Sequence, residues 1–262
     1  MKRSIPFFVV LLLISFAASA QKLPNIQEAS VRAPGAMRVD GKATEWNNQF
    51  QAYNKATEIY YTVSNDKDKL YLTIQATDLD IINKIICGGL TFMINGSGKT
   101  KDQDGKAITF PALKRDNYGG GVGAGAKPIN HPPIDYKADA TLMNDQFMGL
   151  SKDIKVTGIE GIKDSISIYN PEGIKAVARF NEEKIFTCEI AMPLKYLNLP
   201  GNAKSLIYSI KIDGPLIRNL TRRGLTSLRE INGVLIMEGP DAPRIQSLIA
   251  PTNFWGEYTL AK

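Results

Sequence analysis

Apolar and polar positions alternate with a period of two through most of the patterned stretches of this chain. In EIYYTVS, Ile59, Tyr61 and Val63 alternate with Tyr60 and Thr62, and in KLYLTIQATD, Leu70, Leu72, Ile74 and Ala76 alternate with Tyr71, Thr73 and Gln75. Successive side chains of a strand point to opposite faces, so each run predicts a strand with one buried face. The polar Asn65-Asp66-Lys67-Asp68 between them predicts a hairpin turn. GGLTFMIN predicts a third strand with Leu90, Phe92 and Ile94 inward; a charged turn from Gly96 to Lys106 then returns through Ile108 and Phe110 to Pro111.

The pattern resumes in GIKAVARF, where Ile174, Ala176, Ala178 and Phe180 alternate, turns at Asn181-Glu182-Glu183, and continues through KIFTCEIAM to Pro193 and the short helical candidate PLKYLNL. SLIYSIKIDG places Leu206, Tyr208, Ile210 and Ile212 on one side, and FWGEYTLA predicts the last strand. Helical periodicity is nowhere sustained beyond a few turns. The reading is an all-β fold: an antiparallel β-sandwich with jelly-roll or immunoglobulin-like layers, long loops and few short helices. Two stretches interrupt the spacing, 113–133 and 215–253, and long connections on a sandwich are where binding residues concentrate.

The N-terminus changes the compartment. Lys2 and Arg3 precede an apolar run from Ile5 to Phe16 and then Ala18-Ser19-Ala20, the pattern of a secretory signal over residues 1–20. The run is short of the ~20 residues of a membrane-spanning helix, and no later segment reaches that length. The expectation is therefore an exported protein, periplasmic or secreted, with an extended leader at 21–36 interrupted by Pro24 and Pro34. A single sandwich domain follows at 37–262. Without Lys2 and Arg3 the charge falls from 32 − 26 = +6 to 30 − 26 = +4. That excess is spread along the chain, unlike the concentrated charge of a nucleic-acid module, and export argues against a nucleic-acid partner.

Cys87 and Cys188 would lie in a compartment that permits disulfides. Bridged, they would close a long loop worth roughly 3 to 5 kcal/mol; unbridged, they are two small core hydrophobes, and Cys188 shares the apolar parity of Phe186, Ile190 and Met192. Two cysteines and one histidine do not make a four-ligand zinc site.

The remaining motifs are weak. Gly121 to Ala126 spells a relaxed dinucleotide fingerprint, but LKRDNY precedes it and KPINHPP follows, so the required strand and helix are missing. Asp102-Gln103-Asp104-Gly105 fails the EF-hand spacing at both ends, whereas Asp78 and Asp80 at a strand end are candidates for calcium as well as for turn formation. His131 is the only histidine and has no nucleophile elbow near it. Paired carboxylates for glycoside hydrolysis do not stand out among the 26 acids, so no catalytic residue is assigned. Arg218, Arg222, Arg223 and Arg229 form a basic run suited to a solvated face or to an anionic or glycan contact.

VDGKATEW at 39–46, LYLTIQATD at 70–78, GGLTFMINGSGK at 88–99 and FTCEIAMPLKYLNL at 186–199 together resemble the carbohydrate-binding module family nine-like sandwiches, related to the DOMON-like fold. In that pattern an Asp-Gly turn leads to a Trp, a Leu-Tyr strand ends in Asp, and a Glu-containing strand runs into an Ile-Pro-Leu-like corner, with Met192 here in place of the Ile. The resemblance implies that Trp46 packs against the sandwich as a structural residue, its indole N–H taken up by the turn backbone. Trp255 is read as packing at the start of the last strand.

The function expected is a non-catalytic binding domain for carbohydrate or a cell-envelope polymer. Tyr118 would be the stacking platform, with Asn117, Arg115 and Arg222 at its rim. The alternatives are a protein-interaction or envelope-assembly module, and a haem-carrying DOMON relative using His131 and a Met as axial ligands.

Overall fold

The computed structural model describes residues 22–96, 105–113, 134–200, 204–214, 227–231, 234–238, 240 and 242–262, with the backbone alone for those between 227 and 238. The strands are β1 (Ala52–Asn54), β2 (Ile59–Asn65), β3 (Lys69–Ala76), β4 (Leu90–Asn95), β5 (Lys106–Phe110), β6 (Asp153–Thr157), β7 (Ser165–Ser167), β8 (Lys175–Phe180), β9 (Phe186–Pro193), β10 (Ser205–Ile212), β11 (Ser227–Ile231), β12 (Val234–Glu238) and β13 (Thr252–Thr259). One sheet has the order β1-β2-β3-β9-β8, the other β13-β10-β4-β5-β6-β7, and β11 and β12 form a separate hairpin. Neighbouring strands pair antiparallel throughout. This is the all-β sandwich expected from the alternation.

The core lies between the two sheets and consists of the alternating residues named above. Ile59, Tyr61, Val63, Leu70, Leu72, Ile74, Cys188, Ile190 and Met192 come from the five-stranded sheet, and Leu90, Phe92, Ile94, Ile108, Tyr208, Ile210 and Ile212 from the six-stranded one. Burial of each such side chain contributes roughly 1.5 to 3 kcal/mol. The hydroxyls of Tyr61 and Tyr208 meet at 3.0 Å across this core, so two large side chains with polar tips are buried without leaving either tip unsatisfied.

The leader is part of the fold. β1 pairs only with Ile59 to Tyr61, which leaves the rest of the β2 edge uncovered on that side. Buried Gln27 covers it. Its carboxamide accepts from Val63 N at 2.7 Å and donates to Val63 O at 2.8 Å, and Ala33 N donates to Asn65 O at 2.8 Å. At the other edge, Asn144 treats Phe180 of β8 the same way, accepting at 2.8 Å and donating at 2.9 Å. Side-chain amides thus cap backbone pairs at both margins of the sheet, where an open edge invites mispairing.

Three short helices were not legible as such. α1 (Leu79–Gly88) starts at Asp78, whose carboxylate accepts from Asp80 N and Ile81 N, and buries Ile81, Ile82, Ile85 and Ile86. α2 (Ala140–Leu150) is capped by Asp139 and buries Met143 and Phe147. α3 (Ala242–Ile249) buries Ile245 and Leu248. The stretch 215–253, expected as an irregular connection, carries α3 and the β11–β12 hairpin where it is described. Among the described residues no helix is long and apolar enough to cross a membrane.

Candidate functional site

The two sheets present outer faces of opposite character. On the five-stranded sheet the outward residues include Tyr71, Thr73, Thr187, Glu189 and Ala191, and all five are buried. What covers them is the VDGKATEW stretch and its flanks: Ala33, Met37 and Val39 pack on Tyr71 and Ala191. Trp46 closes the turn, its indole N–H donating to Thr73 Oγ1 at 3.2 Å. The indole partner is therefore a strand hydroxyl, where a turn backbone was expected, and Trp46 lies against this face.

Beneath that turn, Glu189 Oε2 accepts from the backbone N–H of both Asp40 and Gly41, each at 2.9 Å. Gly41 is required there. Its φ is +79°, and a Cβ would sit 2.9 Å from Arg179 Cγ and 3.0 Å from the Ala178 carbonyl carbon. Burial, reinforced by the charges of Glu45 and Asp40, pushes the Glu189 carboxyl up to about 7 against the pull of those two N–H groups. The Asp-Gly turn, the Trp and the Glu strand of the motif are one interlocked unit.

The six-stranded sheet leaves part of its outer face exposed, at Asn253, Glu257, Lys155, Thr157 and Ser165, while Ser209, Ala107 and Asn95 on the same face are buried. Register aligns Trp255 on β13 with Ser209 on β10, Met93 on β4, Ala107 on β5 and Thr157 on β6. Beside this row runs a second, Asn253, Lys211, Thr91, Thr109, Lys155 and Ser165. A third holds Glu257, Ile207 and Asn95. Four strand spacings of about 4.8 Å make the Trp255 row roughly 19 Å long. Small, buried Ser209 and Ala107 form its floor, and half-exposed Trp255 stands at one end, outside the hydrophobic core.

This surface carries hydroxyls and a balanced charge. Thr91 and Thr109 share a hydroxyl hydrogen bond of 2.8 Å. Lys211 Nζ is paired with Asp213 at 2.9 Å, and the face carries Lys155 as well as the acids Glu257 and Asp153. Such a face has little net field to gather an ion. It offers an indole, hydroxyls, an amide and one fixed ion pair, groups suited to a neutral polyhydroxylated ligand.

Of the residues singled out in the sequence, Tyr118, Asn117, Arg115, Arg222 and His131 lie outside the described residues, as do the glycine run and most of the Asp102–Gly105 turn. Trp255 lies within β13 and faces outward instead of packing into the sandwich, because its parity is opposite to that of Phe254 and Tyr258. No disulfide joins Cys87 on α1 to Cys188 on β9. Asp78 serves as the α1 cap and lies 3.2 Å from Arg244, which also binds Glu58. Among the described residues no group of three or more His, Cys, Asp and Glu is placed to hold a metal ion.

The Trp255 row was missed because it comes from five strands far apart in sequence, and only register brings it together. Likewise Lys84 gave no signal; on α1 it is 1% exposed and donates to Ser247 O at 2.8 Å and Thr252 Oγ1 at 3.0 Å. Comparison with known proteins finds no matching family model and no matching curated protein.

Proposed function

We propose that this protein is an exported, non-catalytic β-sandwich that binds carbohydrate or a related polymer on the outer face of its six-stranded sheet. The observation that carries the reading is Trp255, a half-exposed indole directed away from the core on a hydroxyl-lined, charge-balanced surface. The apolar face of a sugar ring stacks on the indole, while Thr91, Thr109, Asn253 and the Lys211–Asp213 pair hydrogen-bond the equatorial groups. The roughly 19 Å row suits several units of a linear chain laid across the strands. The signal-like N-terminus and the resemblance to carbohydrate-binding sandwiches support the same assignment.

Affinity electrophoresis of residues 21–262 through gels containing soluble polysaccharides tests it. At least one neutral polymer should retard the protein. Trp255→Ala should weaken that retardation about tenfold, since an aromatic contact is worth about 1.5 kcal/mol. No retardation by any polymer, or undiminished retardation of the variant, overturns the reading.

A further inference from the structure

The buried carboxyl under the Asp-Gly turn is more than a packing element. We propose that Glu189 is a proton-operated latch: as the neutral acid it holds the Asp40–Gly41 turn, with Trp46 behind it, on the five-stranded sheet, and as the anion it lets the turn open.

The geometry sets up this choice. Glu189 is fully buried; one of its oxygens takes both turn N–H groups, and the other, Oε1, has no hydrogen-bond partner. No ion pair to Lys or Arg compensates it among the described residues. A buried carboxylate without a counter-charge is costly, and protonation removes that cost.

The groups that face it pull in both directions, and burial with the two acidic neighbours outweighs the rest. On the neighbouring strands Thr73 and Val177 stand directly opposite and carry no charge. Arg179, two residues along β8 on the same face, lies against Gly41, leaves its own Nε unpartnered and is a cation that favours the anion from this strand. From the turn, Asp40 and Glu45 are like charges that disfavour the anion, while Lys42 and Arg38 are exposed.

The closed turn keeps the proton up to about pH 7, whereas an opened turn would release it near the ordinary 4.5. Raising the pH between those values therefore favours opening about tenfold per unit, reaching about 300-fold in all, and above pH 7 the effect levels off. Opening would expose Trp46 and the threonine-lined face beneath it.

Amide hydrogen exchange of Asp40 and Gly41, followed by NMR from pH 5 to 8 and normalised to intrinsic rates, reads the opening constant directly. The expected result is a rise of about 40-fold from pH 5 to 7, levelling off at about 70-fold by pH 8, and a flat profile in Glu189→Gln. Glu45→Gln, which removes a like charge while leaving the latch in place, should move the transition to lower pH. The side-chain carboxyl carbon of Glu189 in the wild type should titrate near 7. A flat wild-type profile, a rise retained in Glu189→Gln, or a carboxyl that titrates near 4.5 overturns the latch. If Glu189→Gln does not fold, the wild-type carboxyl titration and the Glu45→Gln shift decide the matter.

Discussion

Lys84 gives a stability prediction whose sign changes with pH. Lys84 is 1% exposed and its ammonium has two hydrogen bonds but no ion pair among the described residues, so burial, only partly offset by the charge of Glu58, lowers its pKa from 10.5 to about 8. That difference of 2.5 units makes holding the charged amine in the fold cost about 3 kcal/mol at pH 7. The folded chain gives up this proton before the unfolded chain does. Between pH 8 and 10.5 the unfolded state binds more protons, and stability rises with pH by about 3 kcal/mol from this group. Lys84→Met removes the charge and forfeits two hydrogen bonds worth about 1 kcal/mol each.

The variant should therefore be about 1 kcal/mol more stable than wild type at pH 7 and about 2 kcal/mol less stable by pH 10.5. Urea unfolding at both values, with matched m, measures this. Buried Tyr61, Tyr208 and Tyr258, whose hydroxyls burial pushes up, lower stability in alkali for both proteins alike, so the difference between the two proteins is the quantity to read. A Lys84→Met protein several kcal/mol less stable at pH 7, or a difference that does not change with pH, would refute the reasoning.

Two further outcomes follow from packing. Gly256 lies under Tyr208, and a Cβ there would sit 2.4 Å from that ring's Cζ and Oη, so Gly256→Ala must displace a buried ring and its bond to Tyr61. The cost should be about 3 kcal/mol, lowering Tm by roughly 10 °C in a thermal scan. With no disulfide between the two cysteines, a thiol reagent should titrate one group per native chain, half-buried Cys87, and two after denaturation, because burial both hides the Cys188 thiol and raises its pKa. A reductant should leave Tm unchanged.

The sheets were legible because alternation is a local signal: the inward parity of β2, β3, β4, β8, β9 and β10 can be read from a few residues each. The helices were not. α2 buries only Met143 and Phe147, too few for a stripe, and the isoleucines of α1 form a short apolar run that suits a strand equally well. The site was less legible still. Trp46 and Glu189 could be tied to a motif, but the bond that seats the turn on Glu189 joins residues 149 positions apart in the chain and depends on tertiary packing. Trp255 shows how parity misleads at a junction: its neighbours Phe254 and Tyr258 enter the core, and only the β10 register shows that the indole between them does not.

The contrast between a sealed face and a partly exposed one is tested most directly by mapping a bound ligand. With a soluble oligosaccharide from any polymer that retards the protein, NMR shifts should concentrate on the Trp255 indole and on Lys211, Thr91 and Asn253, and should spare Asp40, Gly41 and the Trp46 indole. Shifts centred on the Trp46 side of the molecule, with the Trp255 row unmoved, would contradict the account.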